Sequence, residues 1–220
     1  MNRTNKKQIN RIFLCIMSLA FITTATGQTK TMNKLYLQAG AGGGTHDAAS
    51  YDLGIQTIFK NKWSATLSYQ GFDMEPKNLP SDYIPETGFI LIIPYTYTVQ
   101  ANMKIVSITA GRYFKLGRNI WATTEGGLSY VNGEKVSFQR SDVVDSYFLF
   151  GGTTSSNYSS SKESKSTLGV AMRADLNWGF ASFMGIGCGA FANINSIQSP
   201  IGFQLKLMVG NMGREKKNKK

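Results

Sequence analysis

Leu168-Gly169-Val170-Ala171-Met172-Arg173-Ala174-Asp175-Leu176-Asn177-Trp178-Gly179 decides the fold. Its even positions carry Leu, Val, Met, Ala, Leu and Trp, and its odd positions carry Gly, Ala, Arg, Asp, Asn and Gly. Successive side chains of a strand point to opposite faces, so this run is a strand with one apolar and one polar face. Ile201, Phe203, Leu205, Leu207 and Val209 alternate in the same way with Gly202, Gln204, Lys206, Met208 and Gly210. Trp63–Gln70 and Met184–Ile194 repeat the pattern, the latter with Gly185, Gly187 and Gly189 on one parity. No comparable stripe of helical period occurs, so the chain reads as all-β.

Working outward from these runs, about eight strands are expected, near 33–43, 50–60, 63–73, 101–114, 120–134, 166–180, 183–194 and 200–210. Asn61-Lys62, Leu116–Asn119 and Ala181-Ser182 read as tight turns, whereas the links at 44–49, 74–100, 135–165 and 195–199 are longer. Short connections on one side and long ones on the other indicate an antiparallel up-and-down transmembrane β-barrel. Amphipathic rings collect where strands leave the hydrocarbon. Phe59, Trp63, Phe114, Trp121, Trp178 and Phe180 all fall beside the tight turns, and they form the expected aromatic girdle. Alternation alone does not separate inside from outside, so a soluble lipocalin-like barrel is the alternative.

The N-terminus favours the membrane reading. Arg3, Lys6, Lys7 and Arg11 precede the apolar stretch Ile12–Ile22, and small residues follow at Ala25 and Gly27. These are the three parts of a secretory signal peptide, expected over 1–27. Its core is too short to cross a bilayer as a helix. Cleavage before Gln28 would lower the formal charge from +11 to +7, because residues 1–27 hold four cations and no anion. Arg214, Lys216, Lys217, Lys219 and Lys220, against Glu215, make 211–220 a basic tail expected in the periplasm, and the barrel domain is expected over 28–210. With the excess concentrated there, a nucleic-acid partner is not indicated. Two cysteines, one inside the leader, exclude a disulfide scaffold and a cysteine zinc site, and no cofactor motif occurs.

About eight strands leave an interior only wide enough for side chains to fill. The polar parity carries Glu125, Arg173, Asp175 and Lys206, with Arg112 as a further member, and these charges are expected to pair and plug the lumen. His46, Asp47 and Ser50 share one long-side link, but adjacent residues in a Gly-rich loop seldom supply a base held against a nucleophile. Gly151–Ser166 has the composition of a flexible loop. In 74–100, Phe89-Ile90-Leu91-Ile92-Ile93-Pro94-Tyr95 suits strands running past the membrane, or an added hairpin making ten strands. Pro94 would sit at an edge or a bulge.

Gly111-Arg112-Tyr113-Phe114-Lys115-Leu116-Gly117-Arg118-Asn119, followed by Ile120–Tyr130 with its central Glu125, resembles the strand–turn–strand core of the small outer-membrane β-barrel proteins abundant in Bacteroidota. These include PorT-like and OmpA/OmpX-type barrels, and Leu35–Gly44 and Pro200–Gly210 fit the same pattern. The resemblance covers nearly the whole mature chain. Such barrels often end on an aromatic residue, whereas this chain runs past Val209 into the basic tail. The resemblance implies a bacterial outer-membrane location and contact with outer-membrane lipid. Similar small barrels include enzymes with sites at the outer rim, and it is the loop setting of His46, Asp47 and Ser50 that leaves no catalytic activity expected. A surface-interaction role through 74–100 and 135–165 would follow, with envelope or extracellular proteins as partners. A transport or secretion accessory and a rim enzyme acting on lipid are the rival readings.

Overall fold

The structure, a computed structural model, describes residues 32–90, 93–143, 145–148 and 151–212. The expected signal peptide and the basic residues 214–220 lie outside them. Eight of the strands are β1 (Met32–Gly44), β2 (Ala48–Phe59), β3 (Trp63–Met74), β6 (Ala101–Lys115), β7 (Ile120–Arg140), β10 (Tyr158–Trp178), β11 (Met184–Ile194) and β12 (Ile201–Asn211). They form a closed barrel in the order β1-β12-β11-β10-β7-β6-β3-β2. Each strand pairs antiparallel with its neighbours, and Leu35↔Asn211 through Gly44↔Gly202 close the ring. Closure leaves no free sheet edge at the level of the wall. This is the all-β, up-and-down barrel that the alternating runs predict.

The remaining four strands correct the reading of the long links. β4 (Glu86–Ile90) and β5 (Ile93–Tyr97) come from 75–100, and β8 (Asp145–Phe148) and β9 (Gly151–Thr154) come from 141–157. They make a separate sheet in the order β5-β4-β9-β8. The stretch 86–97 is therefore neither an extension of the wall nor a ninth and tenth barrel strand. Pro94 lies on the edge strand β5, where its missing N–H costs no ladder bond. The serine-rich run Tyr158–Ser166 is no flexible loop either. Each of its residues pairs with one of Asn132–Arg140, so partner strand pairing overrides a loop-like composition. The link expected over 44–49 contracts to Thr45–Asp47, with His46 and Asp47 at φ 62° and 48°.

The barrel is apolar outside and polar inside. Leu168, Phe203 and Leu205 stand on the outer wall at 77%, 74% and 72% exposure, while Gln56, Ser68, Thr109 and Asn193 are buried within. Each of these outer side chains would gain about 1.5–3 kcal/mol on leaving water. A contiguous apolar wall of this size is what a transmembrane barrel presents to lipid, so the soluble alternative falls.

Side chains meet across the interior at three levels. Toward the long links, Phe72 on β3 meets Phe191 on β11 with ring centroids 5.5 Å apart, inside a cluster that includes Met74, Met103, Ile105, Val131 and Val136. Toward the tight turns, Tyr36 on β1 meets Trp121 on β7 edge-on at 6.1 Å, with Ile58, Tyr113, Met208 and Met212 around them. Between the two apolar layers lies a polar one.

Candidate functional site

Period two builds the polar layer. Inward positions of β2, β7, β10 and β12 supply Asp52 and Gln56, Glu125, Arg173 and Asp175, and Lys206. Arg173 pairs with Glu125 in the β10–β7 register, yet its Nη2 reaches across the barrel to Asp52 Oδ2 at 2.9 Å. Strand β2 lies four places around the ring from β10, so this bridge spans the interior. Arg173 Nε is 3.7 Å from Asp175 Oδ2, and Lys206 Nζ donates to Asp175 Oδ1. Gln38 and Gln204 add long contacts to Asp52 Oδ2, at 3.5 and 3.4 Å.

Glu125 takes a different arrangement. Its carboxylate accepts from Gln56 Nε2 at 2.7 Å and from Thr109 Oγ1 at 2.7 Å. Gln56 Oε1 in turn accepts from Tyr36, whose hydroxyl accepts from Trp121 Nε1 at 3.4 Å. Among the described residues the buried charges balance: Lys34, Arg173 and Lys206 against Asp52, Glu125 and Asp175. Balanced, hydrogen-bonded charges can remain ionised in a low-dielectric interior. Gly189 makes room for the network, because a Cβ there would lie 1.9 Å from Asp175 Oδ1.

Of the five charges expected together, Glu125, Arg173, Asp175 and Lys206 face the interior. Arg112 does not. It lies on the outward parity of β6, and its guanidinium carbon sits 4.2 Å from the centroid of the Trp63 ring. Asp52 was missing from the expected set. It sits on the polar parity of a strand already recognised, which was the signal available, but only ring closure shows that it faces Arg173.

The girdle needs one correction. Trp63, Phe114, Trp178 and Phe180 are exposed beside the tight turns, and Phe59 is half-buried there. Trp121 is 1% exposed and points inward. Trp121 and Glu125 are four residues apart on one strand, and an even spacing puts both on the same face. The parity that brings Glu125 inside brings Trp121 with it. There the Lys34 ammonium lies 3.9 Å from the indole centroid and donates to the carbonyl of Met212. Met212 N donates to Ser182 O at 3.0 Å, so Met212, the residue after β12, turns into the mouth.

At the other end the long links are tied together. β4 and β9 pair through Thr87↔Thr154 and Gly88↔Thr153. Asn157 Nδ2 donates to Asp82 O at 2.7 Å, and its Oδ1 accepts from Ile84 N at 2.8 Å. Tyr158 donates to Asp82 Oδ1 at 2.8 Å, while Tyr83, Phe138 and Tyr158 stack within 6.5 Å of one another. Nearby, Lys162 Nζ is 3.1 Å from Glu134 Oε2, which also accepts from the backbone and side-chain nitrogens of Asn102. Burial raises the Glu134 carboxyl, but the Asn102 and Lys162 donors outweigh it and hold the group below its ordinary value. His46 and Asp47 are exposed, whereas Ser50 faces inward and its Oγ has no partner among the described residues.

No protein-family model and no curated protein matches the chain. Among solved structures it is similar to Ail, the attachment invasion locus protein of Yersinia pestis, at 14% identity and TM-score 0.45, over 83% of this chain and 99% of that one. It is also similar to the N-terminal β-barrel domain of Pseudomonas aeruginosa OprF, at 13% identity and TM-score 0.47, over 82% and 99%. A de novo designed transmembrane β-barrel matches at 7% identity and TM-score 0.44, over 84% and 99%.

Proposed function

We propose that this chain is a non-enzymatic protein of the bacterial outer membrane that holds a structured surface over a barrel closed to ions. The tight turns then face the periplasm and the long links face outward. One observation carries the reading: the links 75–100 and 141–157 share the β4–β9 pairing and the Asn157 anchor, above an interior spanned by Phe72–Phe191, Arg173–Asp52 and Tyr36–Trp121. A shared sheet presents a fixed shape, and preorganisation is what lets a surface bind without a large ordering cost. The interior supports closure because its charges bridge across the lumen instead of lining an open path.

Two measurements on the full chain test this. Planar-bilayer recordings should show no steady conductance, and porin-like currents from the unmutated protein would refute closure. Envelope fractionation should recover the protein with outer membrane, migrating differently on gels when boiled and unboiled. Deletion of 145–154 should abolish capture of any extracellular or envelope protein partner while leaving that heat-modified migration intact. Undiminished capture would remove the surface role.

A further inference from the structure

Among the described residues, the rim at the tight turns is charged on one side only. Turn 60–62 joins β2 to β3 and turn 116–119 joins β6 to β7; β3 and β6 are neighbours, and Tyr113 N donates to Lys62 O at 3.0 Å. The two turns therefore lie side by side. They gather Lys60, Lys62, Arg112, Lys115 and Arg118 in one sector, all exposed. Residues 53–72 and 103–124, which build that sector, contain no acidic residue. The opposite sector, 178–186 and 207–212, contains no charged residue at all. Lys34, the remaining described cation at this end, is turned into the mouth.

Depth is set by the aromatic rings. Trp63 and Phe114 stand in the basic sector, and indole rings settle at the headgroup level. Arg112, stacked on Trp63, is held at that same depth, where the phosphates of a surrounding bilayer would lie. Turn chemistry agrees. Lys60 and Asn61 adopt φ 53° and 49°, and Lys62 N donates to Phe59 O at 3.2 Å, a two-residue turn whose first position favours Asn, Asp or Gly. A lysine is a poor choice for the backbone there, so a role for its side chain explains its presence better than the turn does.

We propose that this sector binds the phosphate of an anionic phospholipid, phosphatidylglycerol or cardiolipin, in the leaflet that meets the tight turns. The inference rests on the membrane reading above. Lipid is favoured over an acidic protein because the guanidinium is fixed beside a girdle tryptophan, at the depth of the headgroups.

The test uses the mature chain refolded into vesicles of equal parts phosphatidylcholine and phosphatidylglycerol, or phosphatidylcholine and cardiolipin. Lipid retained after mild detergent extraction is identified by native mass spectrometry. Each basic residue near an anionic surface strengthens association about fivefold, so the anionic lipid should be enriched at least about tenfold. Arg112→Gln, and separately Lys62→Gln/Lys115→Gln/Arg118→Gln, should bring the ratio down toward that of the bulk. Lys60→Asn suits the turn backbone and should weaken retention while the folded, heat-modified band persists. Lys135→Gln/Lys162→Gln/Lys165→Gln removes as many charges from the opposite end and should leave the enrichment unchanged. Equal retention of both lipids by the unmutated protein, or the same loss from either set of substitutions, overturns the site. Failure to insert into any vesicle overturns the membrane reading with it, whereas insertion without lipid preference overturns the site alone.

Discussion

Asp175→Ala should be the most informative single change in the barrel interior. Asp175 serves two cations: Lys206, whose side chain is 0% exposed, and Arg173, at 3%. Arg173 keeps its 2.9 Å bridge to Asp52 after the substitution, so the loss falls mainly on Lys206. Removing one partner of a buried pair costs about 3–5 kcal/mol, because the other charge is left uncompensated. Entry of water into the space vacated by the carboxylate would bring the value toward the lower figure. Replacing both partners, as in Asp175→Ala/Lys206→Met, removes the stranded charge and should recover most of the loss. Gly189→Ala gives an independent check, since its new Cβ would lie 1.9 Å from Asp175 Oδ1. It should cost about 1–3 kcal/mol in the parent and much less in the Asp175→Ala background. Equilibrium urea unfolding in lipid vesicles, followed by tryptophan fluorescence, measures the four variants against the parent. A cost for Asp175→Ala within about 0.5 kcal/mol of zero, the range of an ordinary surface change, would refute the reasoning. So would a double variant no more stable than the single one.

Trp121→Ala should destabilise the barrel by about 3–5 kcal/mol, as loss of a large buried ring does, whereas the exposed Trp178→Ala should cost far less in the same unfolding assay. Equal effects would mean that Trp121 faces lipid after all. Asn157→Ala removes the hydrogen bonds to Asp82 O and Ile84 N, so limited proteolysis should cut within 75–100 sooner while the wall stays resistant. Cleavage at the parent rate would show that the anchor is dispensable. The Glu134 carboxyl is held below its unfolded value, so its contribution is fully present above that unfolded value. It is lost as pH falls through the lower folded value. Corrected for the intrinsic pH dependence of exchange, amide protection at Asn102 and Lys162 should therefore fall between mildly acidic and strongly acidic pH, and Glu134→Gln should abolish the change. An unaltered pH response in Glu134→Gln would assign the effect to another group.

By itself the sequence determined what depends on neighbours along the chain. Alternation in Leu168–Gly179 and Ile201–Gly210 marks two-faced strands, and turn residues set where they reverse. Parity assigns Glu125, Arg173, Asp175 and Lys206 to one face, and applied consistently it would have sent Trp121 inward with Glu125 and Arg112 outward with Phe114. Tertiary structure decided what depends on strands meeting across space. A period of two says which residues share a face but not which strand stands opposite, and that is set only when β1 pairs with β12. Hence Asp52 finds Arg173 from the far side of the ring, and Tyr36 finds Trp121. The serine-rich Tyr158–Ser166 becomes a strand because β7 offers it a ladder, and 75–100 joins 141–157 because β4 and β9 supply each other's missing hydrogen bonds. Unpaired backbone groups away from water are too costly to leave, so a partner distant in the chain fixes what local composition left open.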